Sequence, residues 1–157
     1  MFKISKKYSL MISIALSAAF FAVCVAGVFF APGLSRLFIS MKEHVSDVTF
    51  APEAGYGLVL TMAYFIILAA MLADIQLFAL LLRVKDGLVF TEKSTSLVRG
   101  ISWCCFFLCA VVCVLGIYFK LAFVVAFAAL LLGICLRVVK NVLEEATEIK
   151  CENDLTV

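Results

Sequence analysis

Residues 9–31 read SLMISIALSAAFFAVCVAGVFFA and contain 23 consecutive residues without a formal charge. A helix needs about 20 mostly apolar residues to cross the hydrocarbon core of a bilayer. We therefore predict that this run spans a membrane and ends at Pro32-Gly33. Its length exceeds the roughly 7 to 15 apolar residues of a cleavable signal peptide, so an uncleaved anchor is expected.

Three further apolar runs follow at about 57–82, 101–119 and 121–140. The last two are separated only by Tyr118-Phe119-Lys120-Leu121, which predicts a tight helical hairpin. The composition agrees, because 66% of the 157 residues are hydrophobic and 15% are charged, whereas about half of a soluble domain is apolar. The predicted fold is an all-α, single-domain integral membrane bundle of four transmembrane helices.

The basic residues are divided unequally between the two sides of this layout. Ten lysines and arginines fall on the side of the two termini, and three, Arg36, Lys42 and Lys120, fall on the other. The positive-inside rule assigns the richer side to the cytoplasm. We therefore expect a multi-pass protein of the plasma membrane with cytoplasmic N- and C-termini, and a last helix that continues past Arg137 into a cytoplasmic tail at 141–157.

Two polar segments carry local structural signals. After Pro32-Gly33, the spacing of apolar residues over 34–41 predicts a short amphipathic helix on the outer leaflet, followed by a solvated loop over 43–53. On the inner side, Gly87 supplies the backbone freedom for a turn, and Thr91 is suited to cap the helix that leads into the third span.

Asp74 is the one formal charge in the interior of a predicted span, since Arg137 and Lys140 lie at the cytoplasmic end of the fourth. Insertion of such a residue costs about 2.5 to 3.5 kcal/mol, so the carboxylate needs a partner, a proton or water. Arg137, Ser13 and Ser17 are expected at a similar depth, and a structural pair with one of them is the first interpretation. The alternative is that Asp74 binds a proton or small cation in a small transporter or an immunity-type membrane protein.

Cys105, Cys109 and Cys113 recur every four residues on one face of the third helix, with Cys104 beside them. Thiolates at this spacing are candidate ligands for a soft metal or a haem iron. However, neither a Cys-x-x-Cys pair nor a nearby histidine completes a recognisable site, and free cysteine packs well as a small residue between helices. We therefore expect no cofactor, and a haem or metal binder is the third-ranked function.

Other functional classes receive little support. The sequence contains no nucleophile elbow, phosphate loop or zinc-protease motif, so an enzyme is not expected. The basic residues lie mostly at the ends of apolar runs, which argues against direct nucleic-acid binding. Small residues on the first helix favour self-association into a homo-oligomer, and they are Ala18, Ala19, Ala22 and Ala26.

Two patches on the predicted cytoplasmic side resemble a bacterial membrane family, the domain of unknown function 2975. One joins Gly87-Leu88-Val89-Phe90-Thr91 to Leu97-Val98-Arg99-Gly100-Ile101, and the other is the tail, which closes with Glu152-Asn153-Asp154-Leu155-Thr156-Val157. The family has no agreed activity. Its members are commonly encoded beside a small helix-turn-helix regulator of the Cro type, so the resemblance implies a transcription factor as a partner.

The leading hypothesis is a membrane-embedded regulatory or interaction protein in which the two patches form one cytoplasmic surface. This surface would bind a regulator or another protein, while the bundle senses the bilayer or a small molecule. Its candidate residues are Gly87, Phe90, Thr91, Glu152, Asn153, Asp154, Leu155 and Thr156, with Asp74 and Arg137 as the candidates inside the bundle.

Overall fold

The computed structural model describes residues 6–43 and 52–154, and these fold as four helices. They are α1 (Lys6–Glu43), α2 (Pro52–Lys85), α3 (Glu92–Tyr118) and α4 (Ala122–Asp154). All four are long and apolar enough to cross a membrane, and the described residues contain no strand. The predicted all-α membrane bundle is confirmed.

Each helix packs against the helix that follows it in the chain. The contacts join α1 to α2, α2 to α3, and α3 to α4, whereas α1 and α4 do not touch within the described residues. Helices α2 and α3 therefore form the centre of the bundle, and α1 and α4 flank them. One end of the bundle, here the terminal end, carries Lys6, the α2–α3 connection and Asp154; the other end, the hairpin end, carries the α3–α4 connection.

The α3–α4 connection consists of residues 119–121 alone. The backbone N–H of Phe119 donates to the Leu115 carbonyl at 2.9 Å, and the N–H of Ala122 donates to the Phe119 carbonyl at 2.8 Å. These bonds satisfy backbone groups at the ends of two helices that otherwise lie in an apolar environment. The tight hairpin predicted from the sequence is confirmed.

The α2–α3 connection has the turn and the cap that the sequence predicts. Gly87 has a φ of +75°, a conformation that favours glycine because it has no Cβ. Thr91 has extended backbone, and its Oγ1 accepts a hydrogen bond from the N–H of Ser94 at 3.4 Å. The Ser94 hydroxyl, which is fully buried, donates to the Leu88 carbonyl at 2.9 Å. The connection is therefore fixed by its own hydrogen bonds.

Helix α1 does not end at Pro32-Gly33, contrary to the prediction. It continues through Pro32 to Glu43 as one helix of 38 residues, so the segment 34–41 is part of α1 and not a separate amphipathic helix. Proline removes one backbone donor, which a helix tolerates when tertiary contacts support the next turns. Here Ser35 is buried, and the Arg36 guanidinium lies 5.8 Å from the centre of the Tyr56 ring on α2. The solvated loop predicted over 43–53 falls largely outside the described residues.

Helices α2 and α3 approach closely at Gly100. A Cβ at this position would lie 1.9 Å from Oε1 of Gln76. The Gln76 Nε2 donates to the sulfur of Cys104 at 3.9 Å, whereas its buried Oε1 has no hydrogen-bond partner among the described residues. Glycine at position 100 therefore leaves the space that the buried Gln76 amide occupies.

We predict that Gly100→Ala lowers the free energy of unfolding by about 1 kcal/mol, because the new Cβ displaces Gln76 from its contact with Cys104. Thermal unfolding followed by circular dichroism in nanodiscs measures the change. The control is Gly57→Ala, where a Cβ meets nothing within 4 Å. In the Gln76→Ala background, Gly100→Ala should cost almost nothing, and an equal loss in both backgrounds would contradict this explanation.

Candidate functional site

Asp74 lies in the α1–α2 interface and is 5% exposed. The hydroxyl of Ser17 on α1, which is equally buried, donates to Asp74 Oδ1 at 2.7 Å. Ser13, one turn earlier, donates to the carbonyl of Ser9 at 3.1 Å within its own helix. Of the three partners expected from the sequence, Ser17 is the one that binds Asp74.

Arg137 does not pair with Asp74. Its guanidinium lies 5.4 Å from the centre of the Trp103 ring and 5.9 Å from that of Phe106, both on α3. The reason is the order of the helices, because α4 packs against α3 and not against α2. Arg137 instead makes cation–π contacts with the two rings. No basic side chain in the part of the chain that the structure describes forms an ion pair with Asp74.

A cavity of about 560 Å³ lies between α1, α2 and α3, and Asp74 is part of its wall. We call it the Asp74 cavity. Ser13 and Ser17 contribute hydroxyl groups to the wall, and most of its surface is apolar. Such a site combines a lipid-like interior with one carboxylate, which suits a ligand that has an apolar body and a positive or hydrogen-bond-donating group. Sequence analysis missed the cavity, because only the packing of three helices creates it.

The cysteine face of α3 is divided between two environments. Cys104 and Cys105 line the Asp74 cavity, and Cys104 also accepts the hydrogen bond from Gln76. Cys109 and Cys113 lie further along α3 and are partly buried. Within residues 6–43 and 52–154, no group of three histidine, cysteine, aspartate or glutamate side chains is arranged to hold a metal ion.

At the terminal end, one ion pair connects α3 to the extension of α4, and a second lies within α4. Arg99 Nη2 lies 3.4 Å from Glu144 Oε1, and Lys140 binds the other carboxylate oxygen of Glu144. The helices are antiparallel, so the seven residues that precede Arg99, back to Glu92, are matched by the seven that follow Glu144, up to Cys151. The last turns of α4 therefore lie level with the start of α3 and with the α2–α3 connection.

The candidate residues of the two patches that the structure describes lie at this end. Phe90 is 44% exposed and its neighbour Leu88 is 50% exposed, whereas Gly87 and Thr91 shape the turn and the cap. Glu152 lies on the last turn of α4. Asn153 and Asp154 complete the helix; their side chains, and the whole of Leu155, Thr156 and Val157, lie outside the described residues.

The sequence matches a family model over nearly its whole length. The model is described as a protein of unknown function, DUF2975, and covers residues 5–157. The chain belongs to the DUF2975 family. No curated protein and no solved structure matches it. The resemblance seen in the sequence is thus confirmed, and a function for this DUF2975 protein has to be argued from its geometry.

The position of Arg137 can be tested with the single tryptophan of this DUF2975 protein. Removing the guanidinium in Arg137→Ala should shift the emission of Trp103 and destabilise the fold by about 0.5 to 1 kcal/mol, because the cation–π contact is lost. Fluorescence in nanodiscs measures the shift. Arg137→Lys keeps a positive charge at this position and should therefore shift the emission less than Arg137→Ala does. Asp74→Asn should leave the emission unchanged; the same shift in both variants would indicate an Asp74–Arg137 pair.

Proposed function

We propose that this DUF2975 protein is a membrane-embedded regulatory protein that binds a cytoplasmic partner at its terminal end. The observation that carries the proposal is the Arg99–Glu144 ion pair, which joins the start of α3 to the extension of α4, with Lys140 bound to the same carboxylate. The described residues of both patches therefore lie at the terminal end of the bundle. The first patch includes Arg99, and the closing motif of the second begins at Glu152, about two turns after Glu144.

The length of α4 supports this proposal. With 33 residues, α4 is about 50 Å long, which exceeds a hydrocarbon core of about 30 Å by about 20 Å. The excess, about residues 142–154, contains Glu144, Glu145, Glu148, Lys150, Glu152 and Asp154, as expected of a helix in water. A projecting helix that is held in place by α3 offers a partner a preformed surface, so little conformational entropy is lost on binding.

The α2–α3 connection adds apolar area next to this helix. Leu88 and Phe90 are both about half exposed, and the hydrogen bonds around Thr91 and Ser94 hold the connection that carries them. Exposed aromatic and aliphatic side chains beside a charged helix are typical of protein-binding surfaces. We therefore assign the partner-binding surface to the connection and the α4 extension together.

The proposed partner is a cytoplasmic helix-turn-helix regulator, as the resemblance of the two patches implies. A regulator held at the membrane is removed from the pool that searches DNA, so binding to this surface would lower the occupancy of its operators. This mechanism needs no enzymatic activity and no contact between the membrane protein and DNA.

The proposal requires that the terminal end faces the cytoplasm. We predict that a membrane-impermeant maleimide labels Lys120→Cys at the hairpin end, but not the exposed Cys151, in intact cells or spheroplasts. Each thiol is tested in a chain whose other cysteines are replaced by alanine. Both should react after permeabilisation, and labelling of Cys151 alone before permeabilisation would reverse the orientation.

The binding surface is tested by crosslinking in the native cell, followed by capture of the tagged protein and mass spectrometry. We predict that a helix-turn-helix regulator is recovered with the full chain. Its yield should fall at least tenfold with Phe90→Ser and with a chain that ends at Cys151, because each removes part of the surface.

The matched control is Leu121→Ser, which replaces an exposed apolar residue at the hairpin end and should leave the yield unchanged. Recovery of the same proteins with all four chains would contradict the proposed surface. Loss of the regulator with Leu121→Ser as well would indicate general misfolding and count against the assignment to the terminal end.

A further inference from the structure

We propose that the Asp74 cavity binds a lipophilic monocation, a molecule with an apolar body and one ammonium or similar positive group that pairs with Asp74. This site is separate from the partner-binding surface and does not depend on it. The inference rests on the charge of Asp74, the composition and volume of the cavity, and its position at the edge of α1.

The first argument is the charge of Asp74. Its carboxylate is nine-tenths buried and faces an apolar cavity. The structure records one hydrogen bond to it, from the neutral hydroxyl of Ser17 to Oδ1, which leaves Oδ2 for another group. Arg137, the basic residue that the sequence places at a similar depth, lies over the Trp103 and Phe106 rings of α3 instead. A bound cation would supply the missing counter-charge, and its attraction is strong because water is largely excluded.

The second argument is the nature of the cavity wall. The volume of about 560 Å³ lies within the range of about 300 to 1,000 Å³ that is usual for small-molecule sites. Leu16, Phe20, Leu77 and Leu108 contribute large apolar side chains to it. An organic cation can bury its apolar body against these side chains.

The wall also argues against a small inorganic cation. Calcium needs six to eight oxygen ligands, and magnesium needs six in octahedral geometry. The side chains of the wall offer the carboxylate of Asp74 and the hydroxyls of Ser13 and Ser17. An organic cation needs fewer oxygens, because its charge is spread and its body is stabilised by apolar contact. Phe20 is an aromatic residue of the same wall, and the face of an aromatic ring attracts cations.

The third argument is access from the bilayer. Leu16 is 70% exposed, Phe20 is 48% exposed and Leu77 is 41% exposed, although all three line the cavity. Helix α4, which could close a compact bundle, packs on the other side of α3. The cavity therefore opens toward the lipid along α1 and α2, and a ligand that partitions into the bilayer can enter from there.

The test uses the full chain in nanodiscs and tetraphenylphosphonium as the probe. Its binding is measured by equilibrium dialysis, with empty nanodiscs subtracted. Saturable binding at one site per chain is expected, and Asp74→Asn should weaken it at least tenfold, because the charge is removed while the side-chain shape is kept. Glu145→Gln, which removes one negative charge from the α4 extension, is the matched control and should bind as the unmodified chain does.

A second variant and a second probe make the result decisive. Ala73→Leu fills part of the cavity and retains Asp74, so it should also weaken binding. Tetraphenylborate has the same shape and a negative charge, and should not bind at this site. The proposal would be overturned if Asp74→Asn bound the probe as tightly as the unmodified chain, or if both probes bound equally, since either result would favour a lipid chain in the cavity. It would also be overturned if sodium displaced the cation, since that would favour an inorganic ion. None of these readouts requires the regulator, so failure here leaves the proposed function standing.

Discussion

The structure depends on one constraint: polar groups within a hydrocarbon layer have to find partners inside the protein. Three side-chain contacts show how this chain meets it. Ser17 binds Asp74 between α1 and α2, Gln76 contacts Cys104 between α2 and α3, and Ser102 donates to the Gly133 carbonyl between α3 and α4 at 2.9 Å. Among the described residues, each of the three helix interfaces thus contains a polar side-chain contact, and such contacts select one helix pairing over another.

The sequential pairing of helices explains the placement of the two intramembrane candidates. Because α3 lies between α2 and α4, Asp74 and Arg137 are separated despite their similar depth. Arg137 is satisfied by aromatic rings, whereas Asp74 retains an open side toward a cavity. The same arrangement leaves the α1 side of the cavity next to lipid. A closed bundle would have brought the acid and the base together and removed the site.

Helix α3 takes part in both proposed functional regions. Arg99 belongs to the ion-pair network at the terminal end, and Ile101, two residues later, lines the Asp74 cavity. Gly100 lies between them at the close approach to Gln76. A ligand in the cavity and a partner at the terminal end would therefore contact neighbouring turns of one packed helix, which is the kind of rigid element that carries energetic coupling between sites.

The sequence alone determined the number of spans, the α3–α4 hairpin, and the turn and cap at Gly87 and Thr91, because these depend on apolar length and on local backbone preferences. It also placed Asp74 within reach of Ser17, because the span lengths set the depth of this charge and few polar residues lie at a similar depth. It was wrong about the end of α1, which continues past Pro32 with Ser35 buried and Arg36 over the Tyr56 ring of α2. Only the tertiary structure decided which helices touch, and hence the partner of Arg137 and the existence of the Asp74 cavity, because side-to-side order in a membrane depends on contacts between residues far apart in the chain.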